Sequence, residues 1–217
     1  MSNLSNELGS SKNAETLKNL FKKAYLEHDT LTEATRFLAN ELFGETGLVI
    51  VDGDDRDLKR LLVPYAKQDI FEQTSFHKVS ESVESLAAVS DSYGIQVNPR
   101  EINYFYLIDG VRERIVADGD SFSVVDSQIN WSKSELLKEI DDFPERFSPN
   151  VITRPLYQEV ILPNLCYIGG GGEIAYWLEL KSMFETMEVP FPVLLLRNSV
   201  LAITEKQSAK LEKMNIA

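Results

Sequence analysis

Apolar and polar residues alternate with different periods along the chain, and these periods predict an α/β protein. Between residues 14 and 43 apolar side chains recur every three to four positions, which is typical of amphipathic helices. Asp29 and Thr30 interrupt this pattern and offer a helix N-cap, so we expect two helices. A short apolar run at residues 48–51 then predicts a buried strand, and a further helix is expected to run through Tyr65.

The middle of the chain is expected to form antiparallel strands. Four short alternating runs, of which SYGIQVNP is the first, are separated by Asp-Gly or Gly-Asp pairs that favour tight turns. Ser132 is expected to begin a short helix, with Glu135 in the position of a capping box. We therefore predict an α/β core segment at 14–91, a β-rich insert at 92–130 and a second α/β core segment at 131–217 that ends in a C-terminal helix.

The final third returns to a pattern of strand, loop, helix and strand. LCYI predicts a strand, a helix is expected from Glu173 to Met187, and a second buried strand is expected over residues 193–196. This order is one βαβ unit. Between the first strand and the helix stand four consecutive glycines: Gly169, Gly170, Gly171 and Gly172. The predicted fold class is thus α/β, a parallel-sheet portion with an antiparallel β-rich insert.

The glycine run is the strongest candidate site in the sequence. Gly170, Gly172 and Ala175 fit the dinucleotide pattern G-x-G-x-x-[GA] in the expected strand–loop–helix context. Glu173 argues against a pyrophosphate, because its carboxylate would repel phosphate at the positive end of the helix. Arg197 is expected either to receive a carboxylate or phosphate or to pair with Glu173. A tight loop that only serves packing is the alternative, but four glycines exceed that need, so we favour a small-ligand site.

Further polar candidates come from the helix that is expected to start near Pro155. Arg154, Tyr157 and Gln158 either face the same crevice or form a partly exposed helix end. Asn164 either contacts a ligand or caps the turn before the strand. These alternatives stay open on the sequence alone.

Composition and charge exclude several functional classes. The net charge of −12, from 34 acidic and 22 basic residues, argues against nucleic acid as a partner, because phosphate contacts need clustered Lys and Arg. The apolar runs are too short to cross a membrane and no signal peptide is visible, so a cytoplasmic protein is expected. The single cysteine, Cys166, gives no disulfide or zinc-ligand set and is expected to be buried.

Other potential catalytic or metal-binding residues are weaker. His28 and His77 have no visible Ser, Cys or Asp partners for nucleophilic catalysis. The acidic residues at 52–55 are expected to form a solvated turn, and no metal site is predicted.

One long block resembles a known family. FPERFSPNVITRPLYQEVILPNLCYIGGGGEIAYWLEL and VPFPVLLLRNSVLAI are similar to the cysteine-adding enzymes of bacillithiol biosynthesis, where RPLYQE, LPN, YIGGGGE, AYWLELK and PFPVLLLRNS occur in the same order. GLVIVDGDDRDLKRL and YFYLIDGVRERI resemble the same family more loosely. The resemblance covers most of the chain from about Leu17 onward.

The resemblance implies a Rossmann-like core that is followed by a long coiled coil, through which the full-length proteins form homodimers. The implied reaction joins cysteine to glucosaminyl-malate. An adenine nucleotide stays an open alternative as cofactor. Family members are more than twice as long as this chain, so the resemblance implies a partial chain that lacks the upstream half of the core and the coiled coil. Such a piece is expected to be inactive by itself.

The resemblance also implies a set of functional residues in this chain. They are Arg154, Tyr157, Gln158, Asn164, Gly169, Gly170, Gly171, Gly172, Glu173, Arg197 and Asn198. We expect the loop N–H groups and Arg154 or Arg197 to hold a carboxylate or phosphate. Glu173, with a raised pKa, is expected to orient an amine or to act as acid or base. A non-catalytic domain that binds a small ligand and a fragment that only docks on another segment are the alternatives.

Overall fold

The computed structural model describes Glu7, Gly9, residues 13–90 and residues 92–216. The chain divides into two compact units, Met1–Asp55 and Arg56–Ala217. This division falls after Asp55, whereas the sequence predicts segment boundaries after residues 91 and 130. The three expected segments therefore stay a prediction.

The N-terminal unit is built on two helices, α1 (Ala14–Leu26) and α2 (Leu31–Phe43), which pack against each other. The Thr30 hydroxyl accepts a hydrogen bond from the Glu33 N–H at 3.2 Å, and the Glu33 carboxylate accepts one from the Thr30 N–H at 3.2 Å. This capping box begins α2 where the sequence predicts an N-cap. A single 3-10 turn, Gly44–Thr46, follows.

The strand expected at residues 48–51 is not formed. Leu48 is 49% exposed and Val49 66% exposed. A strand that is apolar on both faces is stable only when it is paired and covered on both sides. The described residues of this unit contain no second strand, so the apolar run has nothing to pair with inside it.

The C-terminal unit begins with two helices and a five-stranded sheet. The elements are α3 (Arg56–Glu72), α4 (Thr74–Val89), β1 (Tyr104–Ile108), β2 (Val111–Asp118), β3 (Ser121–Val124), β4 (Asn130–Ser132), α5 (Lys133–Asp142), a 3-10 turn (Pro144–Arg146) and β5 (Phe147–Pro149). The strand order is β4-β3-β2-β1-β5, and every neighbouring pair is antiparallel. The antiparallel insert is confirmed. SYGIQVNP, however, is not a strand, because its Gln96 and Val97 N–H groups donate hydrogen bonds to the Glu179 side chain and not to a neighbouring strand.

The rest of the unit is the expected βαβ arrangement. It comprises α6 (Arg154–Ile161), β6 (Cys166–Gly169), α7 (Gly171–Glu179), α8 (Lys181–Thr186), β7 (Val193–Leu196) and α9 (Glu205–Lys213). Strands β6 and β7 pair in parallel, with Cys166 opposite Val193 and Gly169 opposite Leu196. The single helix expected from Glu173 to Met187 is divided at Leu180 into α7 and α8.

Two apolar cores stabilise the C-terminal unit. The first lies between the antiparallel sheet, α3 and α5, and its largest members are Tyr104, Tyr106, Phe147 and Tyr157. The second lies under α7 and α8, and its members include Val79, Leu156, Trp177, Met183 and Phe184. Because Trp177 is fully buried in the second core, it fixes α7, and with it the preceding loop, over β6 and β7.

Strand β7 was expected to be buried, and this expectation is wrong for three of its four residues, Val193, Leu195 and Leu196. Leu194 packs on the second core, whereas Leu195 is 51% exposed. Ile168, opposite Leu195 on β6, is 65% exposed as well. Successive side chains of a strand point to opposite faces, and α7 covers only one face of this two-stranded sheet.

Candidate functional site

The glycine loop connects β6 to α7, and side chains lie close to its first two glycines. None of the four glycines, all of them described, has a left-handed φ, so backbone conformation does not demand glycine. A Cβ on Gly169 would lie 2.8 Å from the Tyr167 ring and 3.0 Å from the Glu173 Cβ. A Cβ on Gly170 would lie 3.3 Å from the Arg197 guanidinium. Close contacts therefore explain Gly169, whereas a Cβ on Gly170 would require the end of the Arg197 side chain to shift by a few tenths of an ångström.

Packing does not explain the last two glycines. A Cβ on Gly171 would meet nothing within 4 Å, and one on Gly172 would meet only the Gln96 Oε1 at 3.8 Å. Both residues are exposed in the first turn of α7. Their main chain is thus accessible without a covering side chain, which is the property that close approach of a ligand to backbone requires.

Glu173 caps the helix that starts at the loop. Its Oε2 accepts a hydrogen bond from the Gly170 N–H at 2.7 Å, and its Oε1 accepts one from the Tyr167 hydroxyl at 3.2 Å. The Gly170 N–H is the main cause that lowers the pKa of Glu173 below its ordinary value, followed by the Tyr167 hydroxyl, and the charge of Arg197 lowers it further. The expected raised pKa is therefore wrong. Glu173 is an exposed, ionised carboxylate at neutral pH, suited to orienting an ammonium group or accepting a proton.

A pyrophosphate does not fit this loop. In a dinucleotide-binding loop the N–H groups at the helix start face phosphate oxygens. Here the Gly170 N–H already donates to a carboxylate, which would repel a phosphate at the same position. We assign no nucleotide to the loop.

Arg197 lies against the loop as the sequence predicts. Its backbone N–H donates to the Gly169 carbonyl at 2.8 Å and thereby extends the pairing of β6 with β7. This fixes the residue next to Gly170, where its charge acts on Glu173. Asn198 follows it and is exposed.

Arg154 and Gln158 lie beside the second turn of α7. The Arg154 Nη1 donates to the Gln158 Oε1 at 3.2 Å. Burial raises the pKa of Tyr176, and the charge and hydrogen bond of Arg154 partly oppose this shift, so the guanidinium is next to the Tyr176 hydroxyl. The same hydroxyl donates to the Val151 carbonyl. The first turn of α6 is thus tied to α7, three residues beyond Glu173.

Two other expected site residues occupy positions in the scaffold. Tyr157 is buried in the first core, with the Lys59 Nζ 5.9 Å from its ring centroid. The Asn164 N–H and side-chain amide donate to the two carboxylate oxygens of Glu159 at 2.8 and 2.9 Å. Because Glu159 is buried, this pair closes the turn between α6 and β6, which supports the capping alternative for Asn164.

The sequence reasoning missed the residues beside the open end of the loop. The buried carboxylate of Glu179 accepts hydrogen bonds from the Gln96 N–H, the Val97 N–H and the Tyr93 hydroxyl at 2.8, 3.0 and 3.0 Å. These bonds hold residues 93–97 next to α7. The signal in the sequence is an acidic residue between leucines in LEL, on a helix face that is otherwise apolar.

The remaining candidates have ordinary structural surroundings. The Asp52 carboxylate accepts a hydrogen bond from the Asp54 N–H at 2.9 Å, as in a turn. Cys166 is half-buried rather than buried. No group of three His, Cys, Asp or Glu side chains within the described ranges could hold a metal ion. Of the helices that the structure describes, not one combines the length and the apolar character needed to cross a membrane.

Comparison with known proteins identifies similar sequences. The family model for bacillithiol biosynthesis BshC, N-terminal Rossmann-like domain, matches residues 1–198. A relative from Flavobacterium johnsoniae is 58% identical over 97% of this chain and one from Christiangramia forsetii is 56% identical over 97%. A relative from Cytophaga hutchinsonii is 43% identical over 96%. Each is named "Putative cysteine ligase BshC".

The chain spans about 39% of the length of the first two relatives and 40% of the third. A partial chain is therefore confirmed. The matching model describes the N-terminal Rossmann-like domain of the family, so residues 1–198 belong to that domain, and the absence of the upstream half of the core stays a prediction. The Rossmann-like fold class is confirmed by the same match.

Proposed function

Because the chain belongs to the family of bacillithiol-biosynthesis BshC N-terminal Rossmann-like domains, we propose that it is the N-terminal part of a ligase that joins cysteine to glucosaminyl-malate. One observation carries the proposal. The relative that is 58% identical over 97% of this chain bears the name of a cysteine ligase. The glycine loop is the proposed substrate surface.

The proposed reaction forms an amide. The amine of glucosaminyl-malate attacks the activated carboxyl carbon of cysteine, a C–N bond forms, the leaving group departs with its electron pair, and the amine loses a proton. Glu173 is ionised and exposed, so it can orient the ammonium form or accept this proton.

The charges around the loop fit an anionic substrate. Glucosaminyl-malate carries carboxylate on its malyl group, and Arg154 and Arg197 are both exposed near α7. A guanidinium can bind a carboxylate with two parallel hydrogen bonds. The positive end of α7 adds a favourable field at Gly171 and Gly172. We assign the malyl carboxylates to this side of the loop and the amine to Glu173.

The assembly and location of the whole protein belong to the same proposal. The resemblance to the family supports a homodimer that forms through a coiled coil. A cytoplasmic location is supported by the single cysteine, which suits a reducing compartment.

The test is a ligation assay with the longest form of the protein that its gene encodes. The protein is incubated with cysteine and glucosaminyl-malate, with and without ATP, and bacillithiol is measured by mass spectrometry. We expect product with that form and none with the 217-residue chain, which covers 39% of its relatives. Absence of product from the longest form, with and without ATP, would contradict the proposed function.

A further inference from the structure

Glu179 is a fully buried carboxylate within the second core. It is 0% exposed, and it follows two positions after Trp177 on α7. A buried carboxylate is unfavourable unless hydrogen bonds satisfy it. Here both oxygens are satisfied, because Oε1 accepts from the Gln96 N–H and the Tyr93 hydroxyl and Oε2 accepts from the Val97 N–H.

The donors all come from one irregular segment. Residues 93–97 belong to no helix or strand, so the N–H groups of Gln96 and Val97 do not donate to the backbone of a neighbouring β-strand. The Glu179 carboxylate accepts the hydrogen bonds of these two consecutive N–H groups, which a neighbouring strand would accept in a sheet. Burial, followed by the hydrogen bond and the charge of Glu179, raises the pKa of Tyr93 to about 12, so its hydroxyl stays protonated as a donor at neutral pH.

The segment brings one polar side chain to the open half of the glycine loop. The Gln96 Nε2 donates to the Gly94 carbonyl at 2.5 Å, which fixes the orientation of the carboxamide. The Oε1 then lies 3.8 Å from the place of a Cβ on Gly172. It has spare capacity to accept a hydrogen bond beside the main chain of Gly171 and Gly172.

We propose that Glu179 is a positioning residue that holds residues 93–97 beside the glycine loop, so that the Gln96 carboxamide contacts the bound substrate. An amide oxygen in this position accepts from a hydroxyl group, which matches the sugar hydroxyls of the proposed substrate. The inference rests on the proposed function for the identity of that substrate. The clamp between Glu179 and residues 93–97 can be tested without it.

The contact is tested with Gln96→Ala in the longest form of the protein. Gln128→Ala is the matched control, because Gln128 is also exposed but lies in the turn between β3 and β4. Loss of one neutral hydrogen bond should raise KM for glucosaminyl-malate about tenfold and change kcat less than about twofold. The control should match the wild type. An unchanged KM in Gln96→Ala overturns the contact.

The positioning role is tested with Glu179→Gln alone and combined with Gln96→Ala. If Glu179 acts through Gln96, the double variant should have the same KM as Gln96→Ala, whereas independent effects would multiply. Amide hydrogen exchange supplies a second measurement. We expect protection of Gln96 and Val97 in the wild type and at least about tenfold faster exchange at these two amides in Glu179→Gln.

The outcomes separate this inference from the proposed function. A wild-type protein with no ligase activity contradicts the proposed function, and the clamp is then judged by the exchange rates alone. Should Glu179→Gln fail to fold, Tyr93→Phe serves for the exchange measurement, because it removes one donor and leaves the carboxylate in place. Unprotected Gln96 and Val97 amides in the wild type overturn the clamp.

Discussion

The Gly170 N–H and the Glu173 carboxylate are joined by a hydrogen bond of 2.7 Å at the start of α7. This bond satisfies one of the free N–H groups of the helix and places a negative charge between Tyr167 and Arg197. The Gly170 N–H is therefore already bound to a carboxylate, which would repel an anionic group at the same position. The loop thus carries a negative charge at Glu173, whereas the main chain at Gly171 is open.

The first prediction concerns the charge of Glu173. Glu173→Gln keeps the size and one acceptor for the Gly170 N–H, so we expect the midpoint of thermal unfolding to change little. Ligase turnover in the longest form of the protein should fall by at least about 100-fold, the scale of a lost general base. Thermal unfolding and bacillithiol formation are measured on the same preparation. Wild-type turnover would remove Glu173 from the chemistry.

The second prediction separates the glycines that serve packing from those that serve binding. Gly169→Ala should destabilise the protein by about 1–3 kcal/mol, because the new Cβ would overlap the Tyr167 ring. Gly171→Ala should leave stability unchanged or slightly higher, since it adds a Cβ in open space in a helix. We expect Gly171→Ala nevertheless to weaken substrate binding, as measured by calorimetry with glucosaminyl-malate. Wild-type affinity in this variant would show that the main chain of Gly171 does not approach the ligand.

Local sequence signals predicted most elements of the C-terminal unit. The capping box at Ser132 and Glu135, the Asp-Gly turns and the apolar run before the glycines each depend on neighbouring residues only, and each is present. Helix α4 was missed although Phe76, Val79 and Val83 already follow helical spacing. That omission was a failure of interpretation and not of the signal.

The errors in the candidate site have a different cause. The pKa of Glu173 and the role of Asn164 depend on partners that no local pattern reveals, such as the Tyr167 hydroxyl and the buried Glu159 carboxylate. Residues 93–97 alternate like a strand, but their amides bind a side chain 82 or 83 positions away in the sequence. A hydrogen bond between residues this far apart in sequence leaves no local pattern of apolar and polar positions.

The third prediction tests whether Asn164 binds a ligand or closes a turn. Asn164→Ala removes a donor from the buried Glu159 carboxylate, whose remaining donors include the Asn164 N–H and the Gln158 side chain. We expect a decrease of about 1–3 kcal/mol in the free energy of unfolding, the cost of an incompletely satisfied buried acceptor. KM for both substrates should stay within about twofold of the wild type. Unchanged stability together with a raised KM would instead support the ligand-binding alternative.

The fourth prediction comes from a buried carboxylate far from the loop in sequence. Asp69 is 0% exposed, and its Oδ1 accepts a hydrogen bond from the Ser75 N–H at 2.7 Å. Burial raises its pKa from 3.8 to about 6, against the effect of its hydrogen bonds to Ser75 and Asn103. The folded state therefore holds the proton more tightly than the unfolded state. The contribution of this group to stability is complete below pH 3.8 and is lost as the pH rises through about 6.

Asp69→Asn should abolish this pH dependence, because an amide cannot ionise but can still accept from the Ser75 N–H. The rise in pKa from 3.8 to about 6 corresponds to roughly 3 kcal/mol. Between pH 4 and pH 7 the wild type should therefore lose roughly 2–3 kcal/mol of its free energy of unfolding through Asp69, and the variant should not show this loss. Urea unfolding at several pH values measures the difference, with Asp118→Asn on the exposed end of β2 as the control. Profiles of Asp69→Asn and wild type that run parallel would show that Asp69 does not titrate in this range, and that its burial is compensated by donors that keep it ionised.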